Sequence, residues 1–156
     1  MISHCEPSED TVERCLERVR LAWNSGDAHA FAAEFTMDAT YVIFFGVALL
    51  ERDEIEKNHV DVLTRWQKGS RMIIQVINKR RLCEGAISVL TIGGIGKGTR
   101  LRYDKIQTFT MICRDKRWMC SAFQNTEMNG HAKRAYNGRN DRTLFDRLSS
   151  RMRDES

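Results

Sequence analysis

The sequence predicts an α+β domain in which three helices precede one antiparallel sheet. In three segments before Gly69, apolar residues recur at the three- and four-residue steps of amphipathic helices. After Gly69 they alternate with polar residues, as they do in strands, and the segments between these strands are short enough for hairpins. Helices and strands that are segregated along a chain indicate an α+β architecture rather than a parallel sheet with crossover helices.

The first two predicted helices meet at a short turn. The first covers residues 9–23, with Ser8 as its N-cap and Ser25-Gly26 at its end. Asp27 is the expected N-cap of a second helix that ends near residues 37–38. A β-branched and aromatic strand then follows over residues 40–45.

The third predicted helix runs from about residue 52 to residue 67, and Gly69 is the expected residue just beyond its end. Its apolar stripe contains Ile55, Val62, Leu63 and Trp66, and His59 lies on the same stripe. The pattern therefore predicts that His59 points into the interior.

Four later strands complete the predicted sheet, over residues 71–82, 86–92, 101–113 and 117–126. The glycine-rich stretch 93–99 is interpreted as a hairpin connection. It lacks the hydroxyl residue that follows Gly-Lys in a phosphate-binding loop, a strand rather than a helix follows it, and its spacing does not fit the dinucleotide fingerprint. Nucleotide binding is therefore not predicted.

The chain length and the distribution of charge along the sequence predict one domain followed by a basic tail. The chain has 156 residues, with 25 Lys and Arg against 21 Asp and Glu, a net charge of +4. Residues 131–156 carry most of this excess, with seven Lys or Arg against four Asp or Glu. Residues 127–156 are predicted to be a basic tail with a short amphipathic helix around residues 144–152. Acidic residues interrupt the tail, so nucleic-acid binding is not favoured.

Cysteine usage and the N-terminus favour a cytoplasmic protein. The five cysteines are scattered without a paired motif, which is typical of free thiols. No signal peptide and no apolar run long enough to cross a bilayer are visible, so no membrane contact is expected. The four histidines lack metal-ligand spacing, and no cofactor motif occurs, so no metal and no cofactor are predicted.

Several polar residues occur in elements that otherwise build the core. They are Tyr41, His59, Gln107, Gln124 and Asn125. A buried polar group needs a partner, so each is either satisfied by a neighbour or lines a cavity. Both interpretations stay open at this point. Of the carboxylates near the predicted elements, Asp38 resembles a helix-ending residue and Asp104 a strand-edge surface residue.

An ordered set of motifs resembles a known family. The chain is similar to the SgcJ/EcaC type of SnoaL-like proteins in an ordered series of motifs. These motifs are the stretch from Trp23 to Val42, then Gly46, then Arg52-Asp53-Glu54-Ile55 and His59, and finally Trp118 with Phe123-Gln124-Asn125-Thr126. These belong to the nuclear transport factor two-like superfamily. The resemblance spans residues 9–126. Glu51 departs from it, because the family usually has glycine before Arg52, and the basic tail lies outside it.

The resemblance implies a cone-shaped, cystatin-like fold. A strongly curved antiparallel sheet would wrap three N-terminal helices and enclose an apolar pocket, in a SnoaL-like α+β barrel domain over residues 1–126. The resemblance also implies a homodimer that forms through the sheet.

The same resemblance implies a hydrophobic, polyketide or polycyclic ligand. Relatives of this architecture include ketosteroid isomerase, scytalone dehydratase and polyketide cyclases, so a cofactor-free isomerase, cyclase or dehydratase in natural-product biosynthesis is one hypothesis. His59 and Tyr41 are its predicted catalytic residues. The predicted ligand-binding residues are Trp23, Phe45, Trp66, Gln107, Gln124 and Asn125. The alternative is a noncatalytic association module, for which a solidly packed cone is expected.

Overall fold

The computed structural model describes residues 10–138. Their elements, in chain order, are α1 (Val12–Asn24), α2 (Ala28–Ala33), β1 (Phe35–Val42), β2 (Ala48–Leu50), α3 (Glu51–Asp61), β3 (Arg71–Cys83), β4 (Ala86–Gly96), β5 (Lys105–Arg114), β6 (Arg117–Glu127) and α4 (Gly130–Asn137). A π-helical turn, Val62–Trp66, continues α3. The α+β class predicted from the sequence is confirmed.

The six strands form one curved, open sheet in the order β2-β1-β6-β5-β4-β3. Its strand pairs are antiparallel except for β1 and β6, which run parallel. The prediction of an all-antiparallel sheet is therefore wrong at this pair. Parallel neighbours need a long crossover, and here the chain from α3 to β5 supplies it. The sheet ends at β2 and β3, so the described residues do not close into a barrel.

Helix α1 forms as its apolar pattern predicts, and its buried face includes Cys15, Leu16 and Val19. Its N-cap is Thr11, whose hydroxyl accepts a hydrogen bond from the Arg14 amide at 3.1 Å. The prediction of a Ser8 cap falls outside the described residues. Asp27 caps α2 as predicted, through the Ala30 amide at 2.9 Å.

Helix α2 is shorter than predicted, and the strand after it begins earlier. The helix ends at Ala33, and β1 starts at Phe35 rather than at residue 40. Here the amide of Cys120 donates to the carbonyl of Glu34 at 2.8 Å, and Phe35 stands opposite Cys120 in the sheet. Pairing with β6 overrides the local helical pattern.

The third predicted helix divides into two parts. It is α-helical only to Asp61, and a π-helical turn then carries the chain to Trp66. The amide of Gln67 donates to the carbonyl of Val62 at 2.7 Å, which is the five-residue bond of a π-helix. Gly69 has the positive φ of 77° expected beyond a helix end.

The glycine-rich stretch is mainly strand, not loop. Strand β4 continues to Gly96, so the predicted hairpin connection is wrong over residues 93–96. A Cβ atom on Gly93 would lie 2.5 Å from Oε1 of Gln107, and one on Gly94 would overlap the carbonyl oxygen of Arg102. Glycine is needed at Gly94 because the backbone before β5 approaches β4 so closely, whereas at Gly93 the side chain of Gln107 would have to move.

Two short elements were not predicted, β2 and α4. Helix α4 follows directly after β6, with Asn129 as its N-cap through the Ala132 amide at 2.9 Å. The amphipathic helix predicted around residues 144–152 lies outside the described residues.

Among the described cysteines, Cys15, Cys83 and Cys120 are free, but Cys113 is disulfide-bonded. The prediction that all cysteines are free thiols is therefore wrong at Cys113.

A buried ion cluster joins α1 to the start of β1 and to β6. The carboxylate of Glu34, whose side chain is 5% exposed, accepts from Arg18 Nε at 2.9 Å and from Arg117 Nη2 at 2.6 Å. Arg18 also binds Asp10 at 2.7 Å and donates to the carbonyl of Trp118 at 3.2 Å. Loss of either arginine would leave the negative charge of the buried Glu34 carboxylate incompletely compensated.

We expect Arg18→Ala to lower the free energy of unfolding by about 2–3 kcal/mol. This is less than the roughly 3–5 kcal/mol typical of a fully buried pair, because the Arg18 side chain is 30% exposed. The matched control is Arg20→Ala, since Arg20 forms an exposed pair with Glu17 on the same helix. Its effect should stay within about 0.5 kcal/mol. Urea unfolding followed by circular dichroism measures both, and equal effects would contradict the buried cluster's role.

Glu51 adopts the left-handed backbone conformation, with φ 67°, at the start of α3. This is where the resembled family usually has glycine. Left-handed geometry costs a non-glycine residue about 1–2 kcal/mol, whereas glycine loses about 0.5–1 kcal/mol more backbone entropy on folding. We therefore expect Glu51→Gly to raise the free energy of unfolding by up to about 1 kcal/mol, measured by urea unfolding. Glu51→Ala retains the Cβ atom and serves as the control; an equal gain from Ala would contradict the strain argument.

Candidate functional site

A cavity of about 410 Å³ lies between the helices and the concave face of the sheet. Aromatic rings form much of its wall, from Trp23, Phe31, Phe35, Phe109 and Phe123. Cavities of this size and composition are typical of small-molecule sites. The core of the described domain is therefore not packed solid.

His59 lies deep in this wall, on α3, and is 2% exposed. Its ring stacks on Phe31 at a centroid distance of 4.3 Å and meets Tyr41 edge-on at 5.1 Å. Nδ1 lies 2.8 Å from the carbonyl oxygen of Ile55. A carbonyl can only accept, so Nδ1 carries the proton and donates. Nε2 then bears a lone pair, and it has no hydrogen-bond partner among residues 10–138.

Burial holds His59 in its neutral form. Removal from water lowers the pKa of His59 to about 4, and the hydrogen bond with Ile55 opposes this only in part. At neutral pH the imidazole is therefore an uncharged hydrogen-bond acceptor inside the cavity. The sequence-based prediction that His59 points inward is confirmed by its position.

Tyr41 stands on β1 beside His59, and 8% of it is exposed. Its ring packs on Phe123 at 4.4 Å, since the two residues are neighbours in the parallel pair of β1 and β6. Burial raises the pKa of the Tyr41 hydroxyl well above its ordinary value. This hydroxyl remains protonated at neutral pH and is a hydrogen-bond donor in the cavity wall.

Gln107 and Asn125 face each other across β5 and β6, and both line the cavity. Oε1 of Gln107 accepts a hydrogen bond from the hydroxyl of Thr91 at 2.9 Å, which fixes the side chain. Oδ1 of Asn125 is buried and has no hydrogen-bond partner among the described residues. The structure thus brings two of the predicted ligand-binding amides together.

Gln124 does not belong to this group. It is exposed and does not line the cavity, because it alternates with Phe123 and Asn125 along β6 and so faces the opposite side of the sheet. Its prediction as a ligand-binding residue is not supported by its position.

The three predicted aromatic residues occupy different depths of the cavity. Trp23 is buried in the wall, where its indole N–H donates to Ser70 Oγ at 3.0 Å. Phe45 and Trp66 line the cavity but are 65% and 66% exposed, so they stand at its mouth. The π-helical turn after α3 places Trp66 there.

Asp104 and Lys105 also line the cavity, and the sequence pattern did not identify either as a site residue. Asp104 was expected at the surface, but one of its carboxylate oxygens, Oδ1, is buried without a hydrogen-bond partner in the described range. Lys105 is 9% exposed, and its ammonium group binds the other oxygen of Asp104 at 2.7 Å. The same ammonium lies 4.7 Å from the centroid of the Phe44 ring.

Strand alternation could have identified Lys105. Lys105, Gln107, Phe109 and Met111 alternate along β5 and are all buried, so they share one face of the sheet. Asp104 precedes the strand, so period-two alternation gives no information about it. Its position depends on the hydrogen bond that its amide donates to the carbonyl of Gly93 at 3.0 Å, a contact between separate segments.

Two further findings concern residues 10–138 only. No group of three or more His, Cys, Asp or Glu side chains in this range is arranged to hold a metal ion. Within the same range, no helix is long and apolar enough to span a membrane.

The comparisons with known proteins identify the fold. A domain of unknown function with a cystatin-like fold from Nostoc punctiforme is 21% identical at a TM-score of 0.71, covering 91% of this chain and 94% of its own. A candidate calcium/calmodulin-dependent protein kinase type II association domain from Thiobacillus denitrificans is 12% identical at a TM-score of 0.68, covering 80% of this chain and 100% of its own.

A candidate scytalone dehydratase from Novosphingobium aromaticivorans has the same fold, with 14% identity, a TM-score of 0.63, and coverage of 76% of this chain and 82% of its own. No protein-family model and no curated protein matches the sequence. The chain therefore has the cystatin-like, nuclear transport factor two-like fold that the resemblance implied. Assignment to the SgcJ/EcaC type stays a prediction.

The lowered pKa of His59 makes stability depend on pH. Its folded-state pKa of about 4 lies below the ordinary pKa of 6.5, so the unfolded chain binds more protons between these values. This contribution to stability is complete above pH 6.5 and is lost as the pH falls toward 4. From this group alone, we expect the free energy of unfolding to fall by about 2 kcal/mol between pH 7 and pH 5.

His59→Gln should remove this component of the pH dependence, measured by urea unfolding at the two pH values. The matched control is Asn58→Gln, on the same helix and in the wall of the same cavity, because this change removes no titratable group. A His59→Gln protein with the wild-type pH dependence would contradict a neutral, buried His59.

Proposed function

We propose that the protein binds a flat, hydrophobic small molecule in the cavity between the helices and the sheet. The observation that carries this proposal is the cavity itself, a volume of about 410 Å³ whose wall is largely aromatic. Protein interiors are normally close-packed, so the side chains around such a cavity can gain contacts from a ligand. A bound aromatic ligand would supply those contacts.

The polar groups in the wall would orient such a ligand. Nε2 of His59 accepts a hydrogen bond and the hydroxyl of Tyr41 donates one, and neither group has a partner among the described residues. A ligand hydroxyl group placed between them could satisfy both, because it would donate to Nε2 and accept from Tyr41. This combination of an apolar body with a few fixed polar groups is typical of specific small-molecule sites.

Binding is better supported than acid/base catalysis. A general base works best when its pKa lies near the operating pH, and the pKa of His59 is about 4. An uncharged imidazole and an uncharged phenol suit recognition of a carbonyl or hydroxyl group. A cofactor-free isomerase, cyclase or dehydratase acting on a polyketide or polycyclic substrate is a narrower proposal, supported by the fold that this chain shares with a candidate scytalone dehydratase.

The association module is the second proposal, and one observation favours it: the same fold occurs in a candidate kinase association domain. That alternative was expected to have a solidly packed cone, whereas the described core contains a cavity. We therefore rank ligand binding first. A homodimer through the sheet stays a proposal that rests on the family resemblance.

The experiment is titration of the purified protein with 2-naphthol, followed by calorimetry. Ile95→Trp places a large ring in the cavity, because Ile95 is partly buried in its wall. We expect this variant to lose at least about tenfold in affinity, since the added ring occupies the ligand's volume. The matched control is Ile77→Trp, which makes the same change at an exposed position on β3 that does not line the cavity. Equal affinity in both variants would refute the cavity as the site.

His59→Ala tests the hydrogen bond to the ligand. Because one hydrogen bond contributes about 0.5–1.5 kcal/mol, we expect about a threefold to tenfold loss of affinity for 2,6-dihydroxynaphthalene, which carries one hydroxyl group at each end of its ring system. Unchanged affinity in a folded variant would remove His59 from the site. Native mass spectrometry of freshly purified protein would report any retained apolar ligand and the oligomeric state together.

A further inference from the structure

We propose that Asp104 and Asn125 form a subsite that accepts a hydrogen bond from a hydroxyl group of an uncharged aromatic ligand. This inference rests on the proposed function and specifies the class of ligand, namely phenols rather than aromatic hydrocarbons or carboxylates. The subsite lies where β5 begins and β6 ends, and both side chains line the cavity.

The first observation is the unequal environment of the two oxygens of Asp104. Oδ2 accepts from the Lys105 ammonium at 2.7 Å, whereas Oδ1 is buried with no partner among residues 10–138. A buried carboxylate oxygen without a donor costs free energy that the fold has not recovered. The backbone of Asp104 is fixed on both sides, because its amide donates to the Gly93 carbonyl at 3.0 Å and its carbonyl accepts from the Met128 amide at 2.8 Å. The side chain therefore stays at the cavity.

The second observation is independent of Asp104. Oδ1 of Asn125 is also buried and lacks a donor within the described part of the chain. Its cross-strand neighbour Gln107 differs from it, since Oε1 of Gln107 already has a donor, the hydroxyl of Thr91 at 2.9 Å. Two acceptor oxygens in one wall thus lack donors. The terminal torsions of Asp and Asn are broad, so small rotations can turn either oxygen toward a ligand.

The charge balance at this end of the cavity selects against anions. Lys105 is nine-tenths buried, but Asp104 already compensates its charge at 2.7 Å. A ligand carboxylate would meet two unpartnered acceptor oxygens and a cation that is already paired. A phenolic hydroxyl supplies the proton that those oxygens lack, and its ring can pack against the aromatic wall.

The experiment compares three probes of the same ring system at pH 7: naphthalene, 2-naphthol and 2-naphthoate. For the wild-type protein we expect 2-naphthol to bind about tenfold more tightly than either of the others, as one hydrogen bond to a charged acceptor predicts. Asn125→Leu, which removes one acceptor, should reduce this preference severalfold.

Asp104→Asn gives the sharpest outcome. It removes the negative charge and leaves the Lys105 ammonium uncompensated at the cavity. We expect 2-naphthoate to gain affinity and the preference for 2-naphthol over 2-naphthoate to be lost or reversed. The control is Gln124→Leu, next to Asn125 but on the opposite face of β6, which should preserve the wild-type order of the three probes.

The outcomes separate this proposal from the proposed function. If naphthalene and 2-naphthol bind equally well, if the two site variants retain the wild-type order, or if 2-naphthoate binds the wild-type protein best, the hydroxyl subsite is wrong. Ligand binding in the cavity would still stand in those cases, provided that Ile95→Trp weakens binding. If none of the three probes binds the wild-type protein, both proposals fail.

Discussion

The parallel pairing of β1 with β6 is the constraint on which the cavity depends, because it joins the helical half of the chain to the last strand. It brings Tyr41 beside Phe123 and sets the start of β1 against Cys120. At the same junction, the carboxylate of Glu34 binds one arginine from α1 and one from β6. With these contacts fixed, α3 covers the concave face and places His59 above it. The helices then cover the sheet without filling the space beneath them.

The two ends of the resulting interior differ in charge. His59 and Tyr41 present uncharged groups against aromatic rings. Burial favours the neutral form of each, because it lowers the pKa of His59 and raises the pKa of Tyr41. Asp104 and Lys105 instead retain a paired charge where β5 begins. A molecule that fills this space must therefore be largely apolar and must also carry polar atoms at defined positions. These two requirements together restrict the ligand more than the cavity volume does.

Local periodicity was sufficient for much of this structure. The α1 face, the inward direction of His59 and most of β5 and β6 follow from spacing, since each depends on one segment burying one face. The prediction for β5 was wrong at its start, because the strand begins at Lys105 rather than at residue 101. Long-range contacts decided the rest. Phe35 joins a strand because Cys120 lies opposite it. Gly93 and Gly94 extend a strand because they pair with Ile74 and Ile73 of β3, and Asp104 is held at the cavity by Gly93. A single segment carries no information about such partners.

The π-helical turn at Val62–Trp66 also has a consequence for how the chain can change. A π-helical turn accommodates one residue more than the α-helix it interrupts, so the residues beyond it are out of phase with α3. That phase difference is why the stripe containing His59 does not continue to Trp66, which stands at the mouth. Deleting one residue from this turn would restore a continuous α-helix and rotate the downstream residues by about 100°. The position of Trp66 at the mouth of the cavity thus depends on the length of the chain at this point as well as on the identity of the side chains.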